Sequence, residues 1–297
     1  MLVFAIFWKR LLKIIGLSLL LIVIAGWIAL QSLVTFRKSD ADAIKAFQEQ
    51  GIELRTSTLD IQGHDLHFAT TGVDSLPTIV FVHGSPGGWI EFEDYLKDAD
   101  LRSHFRLISV DRPGFGYSEY GTGVELFEQG SRLITFLKKI DNGQPLYLLG
   151  HSLGGPVVAL LAAEAPELVN GIVVIAGSLD PEMEPTERWR KTLKASPWKY
   201  LLNGAFRASN EELFYFKKDV LELKPRLSKV TCPVVIFHAT DDMLVDVRNV
   251  DFMQRNFVNA KSMEVKVFPE GNHFVHKNHY DAVKERLLDF AKPLGAE

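Results

Sequence analysis

The sequence predicts an α/β fold: a mostly parallel, doubly wound sheet with helices on both faces, an inserted helical lid, and one N-terminal transmembrane helix. Three observations carry this expectation. Short aliphatic and β-branched runs alternate with segments of helical periodicity along most of the chain. That rhythm breaks once, between Leu179 and about Lys229, where the sequence is helical and has no clear strand. Finally, Ile14 to Phe36 contains no charged residue.

The elements follow in order. After Lys9, Arg10 and Lys13 comes IIGLSLLLIVIAGWIALQSLVTF, which at about 1.5 Å per residue exceeds the roughly 30 Å hydrocarbon thickness of a bilayer. A cleaved secretory signal has an apolar region of about 7–15 residues ending in a small-x-small site, which this run lacks. Residues 1–36 are therefore expected to be an uncleaved membrane anchor. Lys9, Arg10 and Lys13, with the initiator amine, narrowly outweigh Arg37 and Lys38 on the other flank. By the positive-inside rule the N-terminus is expected in the cytoplasm, with the globular part of this single-pass membrane protein on the far, extracytoplasmic side.

Residues 37–52 read as a linker and stalk helix, with Ser39 and Asp40 as cap candidates. ELRTSTLDI and HDLHFATTG alternate in polarity across Gln62 and Gly63, the pattern of an antiparallel hairpin at a sheet edge. TIVFVHG, FRLISVD, PLYLLGHS, VNGIVVIAGS and CPVVIFHAT are continuous apolar strands, and MEVKVF is the last strand. Between them, WIEFEDYLKDA, VELFEQGSRLITFLKKI, GPVVALLAAEAP and NVDFMQRNF have helical spacing. The expected core thus comprises residues 53–178 and 230–297. A structureless loop as long as 179–229 is uncommon inside a domain, so that segment is expected to be a helical lid.

Composition narrows the function. With 297 residues, 47% hydrophobic content and a formal charge of only -4, the chain has no bias toward polyanions, and nucleic acid is not an expected partner. The single cysteine, Cys232, excludes an intramolecular disulfide and a thiolate metal centre. No cofactor is expected, and composition is silent on oligomeric state.

LYLLGHSLGG, Leu146 to Gly155, sets one hydroxyl between two glycines where an apolar strand meets a helix. A serine pushed out of the sheet on so sharp a turn needs an unfavourable backbone angle, and room two positions to either side. Gly150 and Gly154 supply that room. A nucleophilic serine in turn needs an imidazole within reach and an anion behind the imidazole.

From roughly Glu53 to Leu294 the chain resembles the α/β-hydrolase superfamily, nearest its lidded esterase-like and epoxide-hydrolase-like branch. Four motifs carry the resemblance: HGSPGG (His83 to Gly88), DRPGFGYS (Asp111 to Ser118), GHSLGG, and a late acid followed by a histidine after the last strand. The resemblance implies Ser152 as nucleophile, His273 as base, and Asp242 as the acid in TDDMLVD, with Asp241 and Asp180 as alternatives. It also implies backbone N–H groups of Ser85 and Leu153 as the oxyanion hole. His83 and His151 read as loop and elbow anchors, and Asp111 with Arg112 as builders of the nearby turn. His273, His276 and His279 recur at three-residue steps, but such positions diverge around a helix and no acid completes a coordination set, so no metal is expected.

Related epoxide hydrolases and haloalkane dehalogenases attack with an aspartate where this chain has Ser152, so acyl transfer is favoured. The expected activity is hydrolysis of a carboxylic ester, small or lipid-like, through an acyl-enzyme. The alternatives are a thioesterase, a proline-iminopeptidase-like amidase, and a catalytically idle, membrane-tethered binding module. Trp189, Trp198, Tyr200, Phe206, Phe214, Tyr215 and Phe216 supply either an apolar roof for the site or packing of the lid.

Overall fold

The structure, a computed structural model, describes residues 2–292; the end of the expected core, 293–297, lies outside the described residues. Eight strands form one sheet: β1 (Arg55–Ile61), β2 (His64–Thr71), β3 (Thr78–Val82), β4 (Arg106–Val110), β5 (Leu146–His151), β6 (Gly171–Ile175), β7 (Val234–Ala239) and β8 (Met263–Phe268). Their spatial order is β1-β2-β4-β3-β5-β6-β7-β8. The first two form the antiparallel hairpin expected around Gln62 and Gly63, and β2 also runs antiparallel to β4. From β4 to β8 all neighbours are parallel.

The parallel strands read as unbroken apolar runs because both faces are covered. Alternate residues feed two cores. Val80, Val82, Ile108, Leu148, Val174 and Ile236 pack on one face with the helices Leu126–Ile140 and Gly154–Glu164. Ile79, Phe81, Leu107, Leu149, Val173 and Val235 pack on the other with Trp89, Tyr95, Val283 and Leu287. The edge strand β8 shows alternating partial exposure instead.

The chain passes from β3 outward to β4 and then back across β3 to β5. Loops leaving β3 and β5 therefore part in opposite directions, opening a crevice at the carboxyl ends of the strands. The helical insertion enters between β6 and β7: a short helix Arg190–Lys194, a 3₁₀ turn Trp198–Leu201, a long helix Gly204–Leu223 and a second 3₁₀ segment Lys224–Lys229. It caps that crevice.

In front of the domain, Leu2–Ser32 is one α-helix. Its apolar part, Ile6–Ser32, is 27 residues long and unburied, long enough to span a membrane.

Candidate active site

Ser152 occupies the turn between β5 and the helix Gly154–Glu164 with φ +53°, a left-handed value costly for a residue with a side chain. The N–H of Ser152 donates to Ile175 O of β6 (2.9 Å), and that of Gly155 to Ser152 O (2.9 Å), so neighbouring structure imposes the angle. The flanking glycines are required by contact. A Cβ at Gly150 would lie 2.2 Å from Gly154 O, and one at Gly154 would lie 2.2 Å from Val82 O.

His273 follows β8. Its Nδ1–H donates to Asp242 Oδ2 at 2.8 Å, and the side chain of Asp242 is fully buried in the loop after β7. Burial works against the Asp242 charge, but the hydrogen bond from His273 and those from the N–H groups of Val245 (2.9 Å) and Leu244 (2.8 Å) outweigh it and hold the carboxyl below its usual range. The two alternative acids face elsewhere. Asp241 accepts the N–H groups of Asn272 (2.7 Å) and Gly271 (3.3 Å), bracing the loop that carries His273. Asp180 accepts from Glu182 N–H (2.9 Å), and its own N–H donates to Asn249 Oδ1 (2.7 Å).

Ser152, His273, Ser85 and Leu153 all line one cavity of about 740 Å³, roofed by Glu184, Glu187, Arg190, Phe206 and Leu213 of the insertion. The backbone N–H groups of Ser85 and Leu153 have no protein acceptor among the described residues. Leu153 immediately precedes a helix, whose N-terminus favours negative charge.

The Ser85 loop is held from behind. His83 Nδ1–H donates to Gly84 O (2.7 Å) while Nε2 accepts the N–H of Arg112 (3.0 Å). Burial, with Arg112 nearby, pushes His83 down to about 4, so the ring is neutral as those bonds require. The guanidinium of Arg112 donates to the carbonyls of His83 (2.9 Å) and Gly84 (2.8 Å), to Gln129 (2.9 Å), and to both carboxylate oxygens of Glu212 in the insertion (2.8 and 3.2 Å). One buried cation thus ties loop, core and insertion together.

Glu91 escapes sequence reading altogether. Its Oε1 accepts from His151 Nδ1 (2.6 Å), while His151 Nε2–H donates to the carbonyl of His273 (2.9 Å). Burial opposes the Glu91 charge, but His151, then His276 and His83, draw its carboxyl far below the usual range. Glu91, His151 and His276 are the one group of three metal-capable side chains among the described residues, their ligand atoms lying within 4.8 Å of one another. The 2.6 Å contact is a hydrogen bond, shorter than two ligands of one ion stand apart, so the cluster reads as a buried carboxylate–imidazole pair. His273, His276 and His279 do not gather: His279 stacks on Phe268 (3.7 Å) and bonds Glu270 O (2.6 Å).

The profile of the α/β-hydrolase fold family matches residues 77–201. The chain is 23% identical to human serine hydrolase BPHL over 258 residues, 81% of this chain and 87% of that protein. It is 27% identical to 2-hydroxy-6-oxononadienedioate/2-hydroxy-6-oxononatrienedioate hydrolase of Burkholderia vietnamiensis, over 82% of this chain and 93% of that one. The crystal structure of a bacterial membrane phospholipase A superposes with TM-score 0.62 at 20% identity, covering 95% of this chain and 99% of that one, and so shares the fold. A parallel sheet of this order, opening its crevice behind a serine on a strained strand-to-helix turn, agrees with the profile match over residues 77–201, and the chain has the α/β-hydrolase fold.

Proposed function

We propose that this enzyme is a serine hydrolase that cleaves carboxylic esters, lipid-like ones included, with Ser152, His273 and Asp242 as its catalytic triad. The observation that carries the reading is that His273, hydrogen-bonded to buried Asp242 at 2.8 Å, lines the same cavity as Ser152. His273 takes the Ser152 proton as Oγ attacks the ester carbonyl. The N–H groups of Ser85 and Leu153 stabilise the oxyanion. Collapse of the tetrahedral intermediate breaks the C–O bond, and His273 returns the proton to the alcohol leaving group. Water, deprotonated by the same imidazole, then attacks the acyl-enzyme and restores Ser152. Asp242 keeps Nδ1 protonated, so that Nε2 is the basic nitrogen, and stabilises the imidazolium that forms.

The walls suit an acyl group: Phe36, Ile90, Phe206, Leu213, Leu244 and Phe274 line the cavity. The apolar helix serves as a single-pass anchor with the N-terminus cytoplasmic, an orientation that a reporter fused after Glu297 and active only in the cytoplasm would overturn. The test of the chemistry is fluorophosphonate labelling with turnover. Wild type labels at Ser152, and Ser152→Ala loses the label and about 10⁴ to 10⁶ in turnover. A variant that kept most of its activity would remove the triad from consideration.

A further inference from the structure

The membrane helix does not hold the catalytic part on a free tether. Trp27 Nε1–H donates to Tyr200 O (2.8 Å), and Gln31 Nε2 donates to the carbonyls of Tyr200 (3.2 Å) and Leu202 (3.3 Å). Asn203 Nδ2 donates back to Leu33 O (2.8 Å) and Val34 O (3.2 Å). The tip of the insertion is therefore seated on the last turns of the apolar span. Trp27 lies five residues before the helix end at Ser32, about 7.5 Å along the axis. Counted from Ile14, the end of a hydrocarbon layer of roughly 30 Å falls near Ser32 or Val34. The segment bonded to Trp27, Gln31, Leu33 and Val34 consequently runs from about 10 Å inside that boundary out to the boundary itself.

Its side chains match that depth. Trp189, Trp198, Tyr200, Leu201 and Phe206 are 42–53% exposed, an unusual set to leave in water. Arg188, Lys191, Lys194 and Lys199 are interleaved with them. Aromatic rings with a polar edge and long cationic side chains are the residue types that settle at a headgroup boundary.

The cavity opens beside this surface. Phe36, four residues beyond the helix end and so within about 14 Å of it, lines the catalytic cavity. The linker is fixed there: Phe36 packs edge-on to Phe206 (6.3 Å), Arg37 lies over Tyr117 (4.1 Å), and Lys38 pairs with Glu93 (2.8 Å). The linker thus forms part of the cavity wall, and a fragment beginning at Ser39 would lack it.

We propose that the tip of the insertion, from Trp189 to Phe206, rests in the headgroup layer of the bilayer that holds the anchor, and that the cavity takes an acyl ester directly from that bilayer past Phe36. The inference rests on the serine-hydrolase reading above and deepens it. The test uses the full chain in liposomes of phosphatidylcholine and phosphatidylglycerol. Placing two carboxylates at the interface with Trp189→Glu/Trp198→Glu is expected to lower hydrolysis of a diacyl ester carried in the bilayer by about tenfold or more, leaving a water-soluble acetyl ester within about twofold. A nitroxide on Lys191→Cys, in a Cys232→Ser background, is expected to be relaxed by oxygen more than by an aqueous nickel chelate. Equal loss on both esters, no loss on either, or a label as open to the chelate as one on Glu264→Cys would overturn the proposal. If the serine-hydrolase reading itself fails, wild type takes no fluorophosphonate label, and the nitroxide result still decides where the tip lies.

Discussion

Gly150→Ala isolates the steric demand of the serine turn. The new Cβ would meet only main-chain atoms: Gly154 O at 2.2 Å, Gly154 C at 2.5 Å and Gly155 N at 2.9 Å. Flexible side chains could yield, but these atoms form the first turn of the helix Gly154–Glu164 and cannot move singly. Reaching van der Waals separation requires the strand end and helix start to part by about 1 Å. Ser152 sits between them and moves with them, and a displacement of that size costs about 10²-fold in turnover. Overpacking adds about 1–3 kcal/mol of destabilisation. Gly63→Ala is the control. Gly63 has φ +82° with nothing within 4 Å, so alanine there meets torsional strain without collision, costing about 1–2 kcal/mol and leaving turnover unchanged. The assay is kcat on a short-chain ester together with Tm for both variants. A Gly150→Ala protein with kcat within twofold of wild type would refute the reasoning, as would parallel activity losses in the two variants.

Three further outcomes are expected. Asp242→Asn should lower kcat by about 10⁴ through loss of the correct His273 tautomer, while Asp180→Asn stays near wild type; the reverse order would hand the acid's role to Asp180. Glu212→Ala leaves the guanidinium of Arg112 buried without its counter-charge, so thermal or denaturant unfolding should show about 3–5 kcal/mol of lost stability, and a loss below about 1 kcal/mol would mean that Gln129 and the loop carbonyls suffice. Burial raises Asp219 to about 6, its Oδ2 accepting the N–H of Leu126 (3.0 Å) and its Oδ1 having no partner among the described residues. Because the folded state binds this proton more tightly than the unfolded chain, whose carboxyl titrates near 4, stability falls as pH rises from about 4 to about 6 and stays reduced above. Asp219→Asn should therefore stabilise the protein at pH 8, by about 1–3 kcal/mol, and not at pH 4; equal effects at both would sink this account.

The sequence by itself determined the architecture, because apolar runs of strand length separated by helical spacing admit few alternatives to a covered parallel sheet. It also determined the serine turn, since Gly150 and Gly154 register a local collision that any chain making this bend must avoid. Tertiary structure alone separates the three aspartates in space. Asp180, Asp241 and Asp242 are chemically alike, and only the path of the loop after β7 sets Asp242 against His273 while Asp241 turns to brace the residues before it. The pairing of Glu91 with His151, the reach of Arg112 to Glu212, and the seating of Tyr200 on Trp27 join residues 60, 100 and 173 positions apart. No local pattern announces such contacts, because periodicity reports which face of an element is buried and carries no record of what will be buried against it.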